Sequence, residues 1–533
     1  MLSRVILSVI VASLFGCASV SNDVPTDAAF EVVDCAANVK AQGSGSCEIL
    51  SVGDRGTIIT GTILGENQVF NNGSILIDES GLIVEVSCDV SGNDRAADAT
   101  VLACPGGIVS PGFINAHDHI WYNHRPPSDL SAERYDHRHQ WRMGLEGHTQ
   151  PDFERAESIE QVAWGEIRHA LSATTSIAGM GGVPGLNRNL EDSQLNGDLQ
   201  TPAAFATVFP LGDAMGAMLS DSCDYPDLVD PSMFANSGAF QAHVAEGVDR
   251  RAANEIACIT GQAEDGVDVT ATPSAFVHFV GASADDAVLL RDRDVSVIWS
   301  PRSNIALYGH TANVSLLDRL GVNIGLSTDW LPSGSMNLLR ELRCGADYSN
   351  DYLNGYFSYQ DLWKMVTVNA ARSFSLQDEL GSLAAGKVAD IAIFRDGPSS
   401  DAFEDIVNAS DSDVLLVLRA GRPLAGKSNL VSAFGVDCDT LPVELTCGEK
   451  TAVCLDSDHG ANLKTVVDSN KDSYLLMSCG TVPQGEPSCT PSWPNQFDGG
   501  ATPGDDDGDG VRNDIDNCPL VFNPPRPMDG SRQ

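Results

Sequence analysis

Lysine is scarce. The 533-residue chain has seven Lys against 25 Arg, and none lies between Lys40 and Lys364. Basic residues total 32 against 73 acidic ones, giving a formal net charge of −41. A chain this acidic repels phosphate rather than neutralising it, which argues against nucleic acid as a partner. Aromatics are only 6 % of the residues. No apolar run approaches the roughly 20 residues that a bilayer helix needs, so a polytopic membrane protein is excluded. What is present suffices for a large soluble core, with 42 % hydrophobic residues. The length admits three domains, or one large α/β barrel with additions.

Met1–Cys17 reads as a targeting segment. Arg4 precedes an apolar run from Val5 to Phe15, too short for a permanent span but suited to a signal peptide. Leu14-Phe15-Gly16-Cys17 resembles the lipobox of bacterial lipoproteins. That resemblance implies lipidation of Cys17 and an exported, membrane-anchored protein of a bacterial envelope, periplasmic or at the cell surface. An ordinary signal peptide would give a secreted protein instead. Either way, membrane contact is expected only through a lipid anchor. Export agrees with 14 cysteines, five of them between residues 438 and 489, which suggests disulfide stapling of peripheral segments. The 13 after Cys17 are odd in number, so at least one is expected to be free or to pair outside the chain. The C-x6-C spacing of Cys447 and Cys454 does not suggest a structural zinc knuckle.

Residues 18–50 are small and polar, as in a tether. Short alternating runs over 51–110, punctuated by Asn72-Gly73 and Ser80-Gly81, read as antiparallel strands. From 111 to 379, short apolar strands alternate with helical stretches. Seven strands are evident: Gly112–Ala116, Thr174–Ala178, Ala204–Phe209, Ala239–Ala245, Ala275–Val280, Val295–Trp299 and Val322–Leu326. Another is expected between Phe209 and Ala239, where none is obvious. This alternation argues an α/β fold with a (β/α)8 TIM barrel. Strands return over 380–430, so a small β-sandwich built from the N- and C-terminal flanks is expected. Residues 431–500 form a Cys-rich extension, and 501–533 a separate acidic segment.

The chemistry is carried by polar residues that end apolar strands. His117 and His119 close Pro111–His119; in a strand, residues two apart point the same way. His243, His278 and Asp329 each follow a later apolar run. Active sites of such barrels gather at the C-terminal ends of the strands. Three neutral imidazoles and a carboxylate suit one divalent metal, Zn²⁺ or Fe²⁺, with a position left for water.

The ordered blocks Pro111–His119, His243–Glu246, His278, Ser327–Asp329 and Gly381–Asp390 resemble the metal-dependent amidohydrolase superfamily, in its cytosine-deaminase and triazine-hydrolase-like branch. The resemblance spans about residues 55–425. It implies that His117, His119, His243 and Asp329 ligate the metal. Asp329 would also orient the attacking water, Glu246 would move the proton, and His278 would bond the nucleophile or polarise the electrophile. Some branches hold two metals bridged by a carboxylated lysine; this barrel has no lysine for it, which favours a mononuclear site. The implied reaction is hydrolysis of a C–N bond other than a peptide bond: deamination, or amide or cyclic-amide cleavage of a small molecule. The competing reading is an exported calcium-binding adhesive or scaffold protein with an inactive barrel. Protein partners and oligomeric state are silent in the sequence.

The loop after the first strand holds Trp121, Tyr122, Arg125, Arg134, Arg138, Trp141 and Arg142. With Asn304 and Trp330 it is expected to line the substrate pocket. The four arginines would give the mouth a locally positive potential that draws in anions; alternatively they pair with local carboxylates in an ordered lid.

Asp505, Asp507, Asp509, Asn513 and Asp516 stand at relative positions 1, 3, 5, 9 and 12, with Gly510 at 6 and the Val511 carbonyl at 7. This is the oxygen-ligand spacing of a Ca²⁺ loop. With Asn517-Cys518-Pro519 the segment resembles a thrombospondin type 3 repeat, which implies bound Ca²⁺ in a tail or the stub of a longer stalk.

Overall fold

The computed structural model describes residues 30–36, 47–130, 133–197, 199–455 and 462–530. Residues 1–17, with Cys17, lie outside them.

Eight parallel strands make the barrel, in runs of three and of five. The first run is Phe113–Asp118, Thr174–Gly179 and Arg188–Asn189. The second is Phe205–Thr207, Phe240–Val244, Ser274–His278, Ser296–Trp299 and Ile324–Leu326. Leu190 joins the runs: its amide donates to Ile177 O at 2.9 Å, and its carbonyl accepts from Ala204 at 2.8 Å. The ring closes where His119 N donates to Asp329 O at 2.7 Å and Asp329 N to His117 O at 3.1 Å. The strand missing from the sequence reading is Arg188–Asn189, not one between Phe209 and Ala239. That later stretch holds only a short 3-10 turn, Pro231–Met233, among its described residues.

Ile114, Ala116, Ala178, Leu190, Ala204, Ala239, Ala275, Val277 and Ile298 share one buried cluster with Phe374, Leu376 and Leu380. Ala204 and Ala239 precede their strands, so this packing fills the N-terminal end of the barrel and leaves the C-terminal end for polar groups. Helices follow the strands with local caps. Asp249 caps Arg250–Ile259, and Ser283 with Asp286 forms a capping box on Ala284–Asp292.

The flanks form one eleven-stranded sheet. Its central strands Thr57–Leu64, Gln68–Ile77 and Thr100–Pro111 come from the N-terminal side, and Ile391–Arg395, Val414–Arg419 and Arg422–Lys427 from the C-terminal side. The segment read as a tether contributes to it. Glu31–Asp34 pairs with Gln68–Asn71, and Glu48–Ser51 with Val101–Ala103. Cys35–Cys88 and Cys47–Cys104 fasten both strands.

Four further disulfides join Cys223–Cys258, Cys344–Cys489, Cys438–Cys454 and Cys447–Cys479. Cys518 is disulfide-bonded too, and no described cysteine is free. Of the two expected alternatives, a free thiol is not found among the described residues. The Cys-rich extension lies along the barrel. Tyr474 N donates to His124 O at 2.8 Å, and Arg134 Nε to Ser492 O at 3.0 Å.

Candidate active site

The strand ends bring His117, His119, His243 and Asp329 together, with candidate ligand atoms all within 4.8 Å of one another. His119 Nε2 lies 3.2 Å from His117 Nε2 and 3.3 Å from His243 Nε2. Asp329 Oδ1 lies 3.5 Å from His117 Nε2 and 3.7 Å from His119 Nε2. Nitrogens about 2.0–2.1 Å from a tetrahedral ion would stand about 3.3 Å apart, so the spacing fits one first-row metal.

Neighbouring groups set the tautomers. Gln241 Nε2 donates to Ala116 O at 2.7 Å, which turns Gln241 Oε1 toward His117 Nδ1 at 3.1 Å. His117 therefore carries its proton on Nδ1 and offers Nε2 as a lone pair. Ser303 Oγ donates to Asp329 Oδ2 at 2.5 Å, leaving Oδ1 for the histidines. Burial and the neighbouring His117 push His119 down to about 4. Burial opposes the charge on Asp329, but His278 and His117 overcome it and hold the carboxyl at about 2. These states, a neutral imidazole and a carboxylate, are the ones a metal takes.

Glu246 and His278 stand beside His243, within the same 4.8 Å limit. Tyr308 OH donates to Glu246 Oε1 at 2.7 Å, and His278 Nε2 lies 3.7 Å from Glu246 Oε2. Asn304 Oδ1 accepts from Thr311 at 3.2 Å, so its Nδ2 donates to His278 Nδ1 at 3.0 Å. The His278 proton then sits on Nε2, facing the cluster. His278 and Asp329 both have left-handed backbones, with φ of +74° and +62°. Such strain in non-glycine residues concentrates at functional sites. At Gly247, φ is +154° and Asp136 O lies 2.4 Å from where a Cβ would sit, so only glycine lets the first-strand loop cross behind Glu246.

The pocket residues divide. Trp330 lies 6.0 Å from His119 between ring centroids, and packs with Tyr122 at 5.5 Å, Trp141 at 5.3 Å and Phe153 at 4.5 Å. These rings form an aromatic wall beside the histidines. Trp121 instead stacks under Arg155, and Asn304 acts on His278. The arginines are held by other groups, although Arg138 Nη1 also lies 4.0 Å from Glu246 Oε2. Arg125 forks Glu154 at 2.7 and 2.8 Å on the surface. Arg138 is buried against Asp213 at 2.5 Å and Glu255 at 3.3 Å. Arg134 holds backbone carbonyls, and Arg142 lies over Phe209 and contacts His139 Nδ1 at 2.6 Å. Arg125 and Arg138 meet carboxylates as the lid reading expects, whereas Arg134 and Arg142 meet backbone carbonyls, Ser492, His139 and the Phe209 ring.

Sequence reasoning missed Gln241 and Tyr308, whose side chains touch the cluster only through the fold; it placed Ser303, in the Ser300–Asn304 turn, in the pocket wall but not on Asp329. It also missed Glu191, just past the two-residue strand. Burial pushes its carboxyl up to about 7, and its buried Oε1 has no hydrogen-bond partner. Glu191 does not join the ligand group.

At the C-terminus, Asp505, Asp507 and Asp509 bring carboxylate oxygens within 4.8 Å of one another. Asp507 is 4 % exposed, yet its Oδ2 meets no donor. Asp516 Oδ2 and Asn523 Oδ1 are likewise buried without a partner. Asn513 Oδ1 accepts from Asp506 N at 3.0 Å, and Val511 N donates to Asp509 Oδ1 at 2.7 Å.

Comparison with known proteins bears on the fold and the reaction class. Residues 213–424 match the Amidohydrolase family. A 5'-deoxyadenosine deaminase of Methanothermobacter thermautotrophicus is 25 % identical over 411 residues, 69 % of this chain and 92 % of that protein. A 5-methylthioadenosine/S-adenosylhomocysteine deaminase of Teredinibacter turnerae is 35 % identical over 119 residues, covering 22 % of this chain and 27 % of that one. Among solved structures, a zinc-bound adenosine deaminase from Xanthomonas campestris aligns at TM-score 0.51 and 15 % identity, over 79 % of this chain and 98 % of its own. Atrazine chlorohydrolase from Arthrobacter aurescens, complexed with zinc, aligns at TM-score 0.51 and 17 % identity, over 78 % and 99 %. These structures share the barrel fold. Residues 213–424 of the chain carry an amidohydrolase domain, and the protein is a metal-dependent hydrolase of carbon–nitrogen bonds other than peptide bonds.

Proposed function

We propose that the protein is a mononuclear zinc deaminase of amino-substituted N-heteroaromatic compounds, with aminopurine nucleosides as the first class to test. The observation that carries this reading is the convergence of His117, His119, His243 and Asp329 beside Glu246, His278 and an aromatic wall. The names of the similar deaminases favour the same chemistry. A bound divalent ion supplies Lewis acidity that lowers the pKa of water from 15.7 toward ~7.

The chain's residues do the rest. Asp329 Oδ1 accepts a hydrogen bond from the attacking water and orients it. Glu246 Oε2, its other oxygen fixed by Tyr308, takes the proton and delivers it to the leaving amine. His278 donates from Nε2 to the developing charge. Trp330 and Tyr122 offer ring faces to a flat substrate. The test is ammonia release from 5'-deoxyadenosine, adenosine and 5-methylthioadenosine by the full-length protein, with metals counted. We expect release and about one zinc per chain, as one three-His, one-Asp site holds. Two zinc equivalents would sink the mononuclear reading; hydrolysis of N-acyl compounds without deamination would sink the substrate class.

We infer further that the Asp505–Asp516 loop binds Ca²⁺. The support is the unpartnered Asp507, Asp516 and Asn523 oxygens in a loop with the ligand spacing of a calcium site. Asp505, Asp507, Asp509, Asn513, Asp516 and the Val511 carbonyl supply the oxygens. Isothermal titration with Ca²⁺ tests it, and no heat of binding removes it. Export as a lipoprotein anchored at Cys17 is also proposed. Six disulfides suit an oxidising compartment. Palmitate labelling that survives Cys17→Ser would overturn the anchor, and release into the medium would mark a secreted protein.

A further inference from the structure

The C-terminal segment is strapped to the barrel rather than trailing from it. Phe522 packs edge-on against Tyr352 and Phe497, with ring centroids 5.5 and 5.3 Å apart, and its amide donates to Tyr352 O at 2.9 Å. Arg526 Nη1 then donates to both Val280 O and Ala282 O at 2.9 Å. Asp529 holds that guanidinium at 2.8 Å, and Met528 N donates to Val248 O at 3.1 Å. Val280 is two residues beyond His278, and Val248 two beyond Glu246. One short strap therefore bonds the backbone of both loops that carry the proposed proton-transfer groups.

These loops need outside support. Ala245, His278 and Phe279 all hold left-handed backbones, with φ of +54°, +74° and +54°. Such conformations persist where the surroundings over-determine them. Upstream, the strap begins at the acidic loop, where Asn523 N lies 3.4 Å from Asp509 Oδ2. Three carboxylates gathered this closely repel one another until a cation neutralises them. Asp507 in this group has an orphaned buried oxygen, Asp516 has another, and Asn523, whose own Oδ1 is orphaned, starts the strap.

We propose that Ca²⁺ in the Asp505–Asp516 loop controls the hydrolase by tightening Asn523–Asp529 onto the barrel, so that Arg526 and Met528 clamp the Glu246 and His278 loops. This rests on the calcium and catalytic readings above. Binding, loop protection and turnover are measured separately, so their failures can be told apart.

Full-length, zinc-loaded protein is dialysed free of calcium, zinc retention is checked by elemental analysis, and amide hydrogen exchange is followed with and without added Ca²⁺. We expect Ca²⁺ to slow exchange at 245–250, 279–283 and 522–529 by about tenfold or more, as regained hydrogen bonds stabilise local closure. Turnover should rise in parallel. Arg526→Ala should bind Ca²⁺ as the parent does, yet lose its effect on 245–250, 279–283 and turnover. Asp507→Asn should bind Ca²⁺ more weakly and show the parent's response only at higher concentration. Calcium binding that leaves both barrel loops unchanged overturns the clamp alone. No binding overturns the calcium reading and the clamp with it. An Arg526→Ala protein that still responds fully overturns the assigned contact.

Discussion

Tyr308 donates its hydroxyl to Glu246 Oε1 at 2.7 Å and accepts the indole N–H of Trp141 at 2.8 Å. Burial and the adjacent Glu246 push the phenol well above its usual range, so it stays a donor. Tyr308 comes from the helix after Ser296–Trp299, and Trp141 from the loop after Phe113–Asp118. Two loops thus fix one oxygen of Glu246, while Oε2 remains toward His278.

Removing that phenol tests its role. A hydrogen bond to a charged group is worth about 1.5–3 kcal/mol, so Tyr308→Phe should lower kcat about 10–100-fold. Metal content should not change, because Tyr308 touches none of the candidate ligands. Steady-state kinetics with a metal count decides it; full activity would reduce Tyr308 to packing.

Glu246 itself carries a sharper expectation. Glu246→Gln keeps the bond from Tyr308 but cannot take a proton. Turnover should fall ~10²-fold or more, since positioned proton transfer contributes ~10²–10⁴. Zinc should be retained. Loss of zinc would make Glu246 a ligand, which its place beside His243 and His278 would permit.

The parts of this site that the sequence showed are those written as local contrast. His117, His243, His278 and Asp329 each interrupt an apolar run where a strand ends. Arg188–Asn189 offered no such contrast: both residues are polar, and the strand is held by Leu190 and by the Arg188 pair with Asp390, 202 residues away. The direction of an arginine was equally hidden. Arg138 turns to Asp213, 75 residues on, with its Nη1 4.0 Å from Glu246 Oε2. Tyr308 and Ser303 act through distances that sequence spacing does not encode. The two strands within the segment read as a tether owe their place to pairing with partners 37 or more residues away and to disulfides.

The placement of the arginines changes what salt should do. With Arg125 on Glu154 and Arg138 on Asp213, two of the four loop arginines are neutralised by carboxylates. The ratio of kcat/KM for a carboxylate-bearing substrate to that for a neutral analogue should stay flat as ionic strength passes ~0.1 M, where the Debye length is ~10 Å. Arg125→Ala should cost at most a few-fold, because exposed pairs contribute about 0–1 kcal/mol. A selective loss of the anionic substrate at high salt would restore the steering role.

Glu166 predicts a pH dependence away from the site. It lies on the helix Ile159–Leu171, 2 % exposed, with Oε1 accepting the Val183 amide at 3.0 Å and Oε2 without a partner. Burial pushes its carboxyl from 4.5 up to about 8. The unfolded chain therefore releases this proton near 4.5, while the folded protein keeps it until about 8. Its contribution to stability is full below the lower value, declines as pH rises between the two, and is flat above. The slope approaches about 1.4 kcal/mol per pH unit within that window. Glu166→Gln retains an acceptor for Val183 and cannot ionise, so its Tm should fall less than the parent's between about pH 5 and about pH 8 and exceed it at the upper end. Thermal melts of both proteins across that range decide the matter. Parallel curves would mean that Glu166 ionises in the folded protein without penalty, through water reaching Oε2.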